Sequence, residues 1–272
     1  MLYLVFSKDR PLQLELTLNT CNYFSYSWNR DYTVVLYKAS NDRFKNAYKG
    51  LEKIFPNTKF IEEEVFKIDF SSIISASEYV MFLVDDCVFT KIFYTQPLID
   101  SLNNNTAILG FSLRLGKNTT NCYPLNVPNH IPKFIYKEAS FSASNREMCF
   151  FWNENKLGDF YYPLELSSSI YRAEDILKIT EGVNFNNPND LEYIMDCSKT
   201  IFSDKPFLSC YQTSVAFCNP INKVQNVNNN RAGSNPIYST ESLLEKYEQG
   251  YKIDDKKFYG FTSNGCHQEV DL

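Results

Sequence analysis

The stretch LYLVFSKDRPLQLELTLNTC, residues 2–21, contains the pattern that decides the fold. Its first five residues, Leu2 to Phe6, are all apolar, which is typical of a strand buried on both faces. Pro11 then fits the first turn of a helix, because that turn does not use the N–H that proline lacks. The stretch therefore predicts a strand, a short turn and a helix, the first half of a βαβ unit.

The same alternation continues along the next third of the chain. Strand-like runs occur at YTVVLYK (32–38), TKFIEE (58–63) and EYVMFLV (78–84), and helix-like segments at DRFKNAYKGLEKIF (42–55) and KIDFSSIISAS (67–77). Strands that alternate with helices predict a parallel sheet covered on both faces. We therefore expect an α/β fold with a Rossmann-like mixed, mostly parallel sheet flanked by helices.

The second half of the chain has a weaker pattern. From about residue 117 to 163 it is rich in Asn, Pro, Ser and aromatic residues, which suits short strands and a more irregular binding surface. The remaining predicted strands are a short one at MCFFW (148–152) and one at FLSCYQTSVAFC (207–218), with a polar loop at 222–236. Helices are predicted at AEDILKI (173–179), at LEYIMDCSKTI (191–201) with Pro188 in its first turn and Asn187 as its cap, and at 239–250 with a capping box from Ser239 or its neighbour.

Composition and charge narrow the class of protein. Of 272 residues, 44% are hydrophobic, which is enough apolar surface for the core of one domain. The net charge of -5 gives no basic surface for nucleic acid. No apolar run is long enough for a transmembrane segment, and MLYLVF is too short for a signal peptide, so we expect a cytoplasmic protein.

The eight cysteines are dispersed, without C-x-x-C pairs, and indicate reduced thiols rather than disulfides. With His130 and His267 as the two histidines, a zinc site is disfavoured.

Two adjacent carboxylates, Asp85 and Asp86, directly follow the apolar run YVMFLV. The ends of parallel strands meet at one edge of a sheet, so Ser7 and Lys38 should emerge beside them. Carboxylate oxygens suit Mg²⁺ or Mn²⁺, which complete their shells with substrate phosphates. The alternative is that the pair forms a turn or a helix cap.

Five segments resemble nucleotide-sugar glycosyltransferases of the GT-A fold. They are VFSKDRPLQL (5–14), FLVDDCVF (82–89), FSLRLGKNT (111–119), INKVQNVNNNRAG (221–233) and CHQE (266–269). The resemblance implies a single GT-A domain over residues 1–272, with a nucleotide-sugar-binding half (1–115) and an acceptor-binding half (116–272). It further implies transfer of a sugar from a nucleoside diphosphate sugar donor to a glycan, lipid-linked or protein acceptor, with Mn²⁺ or Mg²⁺ as cofactor.

The expected donor and metal groups follow from this placement. Asp86, Asp85 and His267 are the expected metal ligands, although a lone histidine is also a common structural residue. The expected donor-binding residues are Ser7, Lys8, Arg10, Tyr37, Lys38, Asp85 and Arg114. Their alternatives are solvated surface charges for Lys8 and Arg114, support of the helix start for Arg10, and core packing for Tyr37.

Two positions depart from the family pattern. The acidic D-x-D motif would end with a carboxylate at position 87, where this chain has Cys87, a residue that fits core packing at least as well as metal binding. In SSSIYR (167–172), an acidic residue and a glycine would be expected near Ser167 and Ser168. These departures concern metal dependence and acceptor specificity.

An inverting transfer needs a base for the acceptor hydroxyl. Glu192 and Asp190, at a helix start after NNPN, are the candidates, and Glu192 is preferred. The alternative is a capping box between Asn189 and Glu192, with Asp190 as base or cap.

Two rival functions stay open. A sugar nucleotidyltransferase should carry a glycine-rich loop after the first strand, and FSKDRPLQ (6–13) contains no glycine. A nucleotide- or glycan-binding module that kept the fold and lost catalysis is compatible with Cys87 and the serine run.

Overall fold

The computed structural model describes residues 1–136, 146–154, 157–224 and 231–272. The strands are β1 (Leu2–Lys8), β2 (Tyr32–Lys38), β3 (Thr58–Glu62), β4 (Tyr79–Val84), β5 (Cys87–Phe89), β6 (Ile108–Ser112), β7 (Asn121–Cys122), β8 (Val127–Pro128), β9 (Ile135–Tyr136), β10 (Glu147–Phe151), β11 (Ser169–Arg172), β12 (Phe207–Tyr211) and β13 (Ala216–Cys218). The α-helices are α1 (Pro11–Phe24), α2 (Asp42–Ile54), α3 (Phe66–Ile74), α4 (Thr95–Asn104), α5 (Ala173–Thr180), α6 (Pro188–Ser198) and α7 (Thr240–Glu248).

The described strands form a central nine-stranded sheet in the order β3-β2-β1-β4-β11-β6-β12-β10-β9. The first four strands in that order are mutually parallel, β11 runs antiparallel to both β4 and β6, and β10 runs antiparallel to β12 and β9. With β6 and β12 parallel to each other, β11 and β10 are the two reversed strands. The expected mixed, mostly parallel sheet is confirmed.

The core lies on both faces of this sheet, as the continuous apolar strands require. Along β1, Leu2, Leu4 and Phe6 pack on one face with the phenylalanines of α3, while Tyr3 and Val5 pack on the other with α1. Because helices cover both faces, the polar groups of β1 can emerge only at its ends. The carboxyl end of β1 is therefore a position where its polar side chains can contact a substrate.

The stretch 207–218 corrects one prediction, since it is two strands rather than one. β12 ends at Tyr211 in the central sheet, and β13 pairs antiparallel with β5 in a separate two-stranded sheet. Between them the chain turns at Ser214, whose N–H donates to the side chain of Asn118 (2.9 Å). The small sheet brings Cys218 opposite Cys87, directly behind the aspartate pair.

The predicted starts of helices agree well with the structure. Pro11 begins α1 and Pro188 begins α6, with Asn187 as the N-cap that accepts from Asp190 N (2.9 Å). Ser239 caps α7. Residues 225–230 of the predicted polar loop lie outside the described residues. In the described part of the chain, no helix combines the length and apolar character needed to cross a membrane.

Candidate active site

A cavity of about 810 Å³ opens at the carboxyl ends of β1, β2 and β4. This volume is within the range of small-molecule sites. Its walls come from both halves of the chain: Ser7, Lys8, Lys38, Asp85 and Asp86 from the first half, and residues of the 158–169, 186–192, 220–224 and 231–232 segments from the second. The cavity lies at the sheet edge where Ser7, Lys38 and Asp85 were expected to emerge.

Asp85 is fixed at the bottom of the cavity by three donors. Its Oδ2 accepts from Ser7 Oγ (2.9 Å) and from Lys8 N (3.0 Å), and its Oδ1 accepts from Arg10 Nη1 (3.0 Å). The residue is 4% exposed. These bonds tie β4 to the carboxyl end of β1, so Asp85 organises the site in addition to lining it.

Arg10 lies between the two aspartates. Its Nη1 also reaches Asp86 Oδ2 (3.2 Å), while its Nη2 donates to the carbonyl oxygen of Asn222 (2.6 Å). Burial raises the pKa of Asp86, Arg10 opposes this rise, and the neighbouring Asp85 adds to it. Arg10 was expected to donate to phosphate, but both of its terminal nitrogens are committed to protein groups. It partly neutralises the aspartate pair and joins it to the segment after β13.

Cys87 has the environment of a core residue. It is fully buried, and its Sγ lies 3.5 Å from Cys218 Sγ across the small sheet. Burial raises the pKa of its thiol well above the ordinary range, which disfavours the thiolate that a metal would need. The structure thus favours the packing interpretation over the ligand interpretation.

The three expected metal ligands, Asp85, Asp86 and His267, all line this cavity. Asp85 already accepts three hydrogen bonds from protein groups, which leaves Asp86 and His267 as the better placed pair. Burial, with a further contribution from Arg114, lowers the pKa of His267 to about 3, so the ring is neutral. Its Nδ1 finds no hydrogen-bond partner among the described residues. A carboxylate and a neutral imidazole with an unpartnered nitrogen are a chemically suitable donor set for Mn²⁺ or Mg²⁺ if phosphate oxygens supply further ligands.

The side chains of the described residues do not make a metal site by themselves. Across the four described ranges, no group of three or more His, Cys, Asp or Glu side chains is arranged to hold an ion. Metal binding without a phosphate ligand is therefore expected to be weak.

Tyr37 and Lys38, at the end of β2, differ in their placement. Tyr37 is buried, stacks on Tyr48 with ring centroids 4.3 Å apart, and does not line the cavity. The structure thus favours the core-packing alternative for Tyr37 over donor binding. Lys38 lines the cavity, and its Nζ pairs with Glu63 Oε1 (2.9 Å). Lys8 also lines the cavity and has an exposed side chain.

Arg114 was expected to bind phosphate, but it is held in a buried ion pair. Its Nη2 donates to Glu165 Oε2 (2.7 Å), and its Nη1 lies 3.5 Å from His267 Nε2. The side chains of Arg114 and Glu165 are 7% and 5% exposed. Sequence reasoning missed Glu165 altogether. One sequence feature could have identified it: Glu165 is the single charged residue in the stretch YYPLELSSSIY (161–171).

Glu192 lies on the first turns of α6 and lines the cavity. Its Oε1 accepts from Leu166 N (3.1 Å). Burial raises the pKa of Glu192 to about 7, and the charge of Glu165 contributes to this rise. A carboxyl group with a pKa near 7 can exchange a proton with a substrate at neutral pH.

Asp190 does not line the cavity. Its carboxylate accepts from Asn186 N (3.1 Å), which supports the start of α6. The suggested capping box between Asn189 and Glu192 is wrong, because Asn187 is the cap and Glu192 instead bonds Leu166. Of the two expected bases, Glu192 is the one with access to a substrate.

Comparison with known proteins supports the resemblance seen in the motifs. No protein-family model matches the chain. The chain is 31% identical over 284 aligned positions, covering 93% of its length, to the bifunctional glycosyltransferase pgtA of Dictyostelium discoideum. It spans 36% of that relative's length. The sequence identity confirms the resemblance to glycosyltransferases.

Solved structures superpose on this structure with low similarity scores. S. aureus TarS in complex with UDP has a TM-score of 0.46 and 13% identity, over 95% of this chain and 68% of that one. A mannosyltransferase from Pyrobaculum calidifontis, in complex with GDP-Man and Mn²⁺, has a TM-score of 0.42 and 11% identity, over 77% of this chain and 56% of that one. Overlaps at these scores carry no conclusion about substrate or mechanism.

Proposed function

We propose that this chain is a GT-A glycosyltransferase domain that transfers a sugar from a nucleoside diphosphate sugar to an acceptor hydroxyl, with inversion. One observation carries the proposal: Asp86, at the carboxyl end of the sheet, and Glu192, with a pKa of about 7, line one cavity. One cavity therefore contains a site for a charged leaving group and a site for a base. In this proposal residues 1–115 bind the donor and residues 116–272 bind the acceptor.

The donor side must stabilise the negative charge that grows on the departing diphosphate. Lys8 and Lys38 line that side and can donate to phosphate oxygens, while Ser7 and Asp85 hold the strand ends in register. Asp86 and the neutral ring of His267 would hold Mn²⁺ or Mg²⁺. When bound, that ion supplies positive charge to the diphosphate oxygens.

The acceptor side must remove one proton. The acceptor oxygen attacks the anomeric carbon, the bond from that carbon to the diphosphate oxygen breaks, and the diphosphate leaves with the bonding electrons. Glu192 takes the hydroxyl proton as the new glycosidic bond forms. The N–H of Leu166 holds Glu192 Oε1 (3.1 Å) and so fixes the base in place. Attack on the face opposite the leaving group gives inversion.

The binding module without catalysis is a second candidate, because Arg10 already compensates the aspartates and Cys87 stands in place of a carboxylate. A sugar nucleotidyltransferase is less well supported. Asp9 and Arg10 directly follow β1, where a glycine-rich phosphate loop would be needed. The glycan, lipid-linked or protein nature of the acceptor and a cytoplasmic location stay predictions.

Donor hydrolysis tests the proposal without knowledge of the acceptor, because water can replace the acceptor hydroxyl. A panel of UDP, GDP and CDP sugars is incubated with the protein and Mn²⁺, and the release of nucleoside diphosphate is measured. We expect release from one nucleotide class, and its loss in Glu192→Gln. The control is Glu15→Gln, which changes a buried, ion-paired glutamate outside the cavity. Tight nucleotide binding without release, in the presence of varied acceptors, would favour the binding module.

A further inference from the structure

The carboxylate of Glu165 accepts three hydrogen bonds in the cavity wall, as many as that of Asp85, and no step of the proposed reaction uses it. Its Oε2 accepts from Arg114 Nη2 (2.7 Å) and from Ser167 N, and its Oε1 accepts from Ser169 Oγ. The bonds to both serines close a tight loop over residues 165–169. A carboxylate buried to this extent needs such partners, since burial without them would favour the neutral acid.

The loop that Glu165 closes contains the amide that holds Glu192. Leu166, whose N–H donates to Glu192 Oε1, lies between Glu165 and Ser167. Ser168 has a φ of 70°, in the left-handed region that a serine rarely adopts. Such a conformation persists where the surrounding contacts impose it. The bonds of Glu165 to residues 167 and 169, on either side of Ser168, are contacts of this kind.

We propose that Glu165 is a positioning residue for Glu192: it fixes the 165–169 loop so that the Leu166 amide holds the base, and it places a negative charge near the base. The inference rests on the proposed function because it treats Glu192 as the base. The contacts of Glu165 and the bond from Leu166 N to Glu192 do not depend on that function. Four groups act on Glu192 electrostatically, namely Glu165, Arg114, Asp196 and Tyr162. The charge of Glu165 favours protonated Glu192 and is the largest charge contribution to its raised pKa.

The test is a titration of Glu192 in the wild-type protein and in Glu165→Gln. Glutamate labelled with ¹³C at the carboxyl carbon gives a resonance that moves on ionisation, and Glu192→Gln identifies the signal of Glu192. We expect the midpoint to fall by about one pH unit in Glu165→Gln, because a like charge is removed while Arg114 stays. The control Glu15→Gln should leave the midpoint unchanged. An unchanged midpoint in folded Glu165→Gln would overturn the proposal.

A second variant keeps the test decisive if Glu165→Gln does not fold. Ser169→Ala removes one donor to Glu165 and retains its charge. We expect a smaller change of the Glu192 midpoint together with lower turnover, and no change in either quantity would contradict the positioning role. The donor-hydrolysis pH profile separates the positioning role of Glu165 from the proposed glycosyltransferase function. If the wild-type protein hydrolyses no donor, the proposed function fails, whereas the titration still reports on Glu165.

Discussion

The pH dependence of turnover should follow the ionisation of Glu192. A base must be deprotonated before it can accept the hydroxyl proton, so activity should rise with pH. With a pKa of about 7, Glu192 is ionised to about 9% at pH 6 and about 91% at pH 8. Turnover at saturating donor should therefore increase about tenfold between these two values, and level off above pH 8.

The assay is the initial rate of nucleoside diphosphate release at saturating sugar nucleotide and Mn²⁺, from pH 5.5 to 9. Glu192→Gln should lower the rate at pH 8 by about 10²-fold or more and remove the rising limb, while leaving the affinity for the diphosphate within about twofold. Asp190→Asn should do much less, because that carboxylate supports the helix start outside the cavity. A wild-type profile that is flat, or a rising limb that persists in Glu192→Gln, would refute the assignment of the base.

The remaining predictions concern stability and metal binding. Folding raises the pKa of Glu192 from 4.5 to about 7, so the wild-type protein loses stability as pH rises through this range and the carboxyl group ionises in the native state. In urea unfolding, Glu192→Gln should therefore be more stable than wild type by about 3 kcal/mol at pH 8 and by less than about 1 kcal/mol at pH 5. Asp86→Asn should weaken Mn²⁺-dependent diphosphate binding by about tenfold or more in calorimetry, with unfolding free energy within about 1 kcal/mol of wild type; equal affinity with and without chelator would contradict this. Asp85→Asn should lower the unfolding free energy by about 2 kcal/mol or more, since three donors lose a charged acceptor. Cys87→Ala should leave Mn²⁺-dependent affinity within about twofold, and a larger loss would restore Cys87 as a ligand.

The first half of the fold could be predicted because its signals are local. Buried parallel strands are continuous apolar runs, and Pro11 marks the start of α1 within the same twenty residues. The end of β12 could not be predicted in this way. The run 207–218 is apolar throughout most of its length, and it divides because residues 216–218 pair with β5, more than 120 positions away.

The site was predictable where a residue's role depends on its own strand end, as for Ser7 and Asp85. It was not predictable where the role depends on a distant partner. Arg10 is committed to Asn222, 212 positions along the chain, and Arg114 to Glu165, 51 positions along. A basic residue at a strand end suggests phosphate binding from the sequence alone, and only the folded chain reveals the carboxylate or carbonyl that it bonds instead.

The central claim is that the cavity beyond β1, β2 and β4 binds the diphosphate of a sugar nucleotide next to Asp86, in the same cavity that Glu192 lines. A crystal structure of the protein with Mn²⁺ and the nucleoside diphosphate that most increases its melting temperature tests this claim most directly. The account predicts the diphosphate in that cavity, with the ion bound by Asp86, His267 and phosphate oxygens. A nucleotide bound elsewhere on the molecule, or an empty cavity at saturating nucleotide, would contradict it.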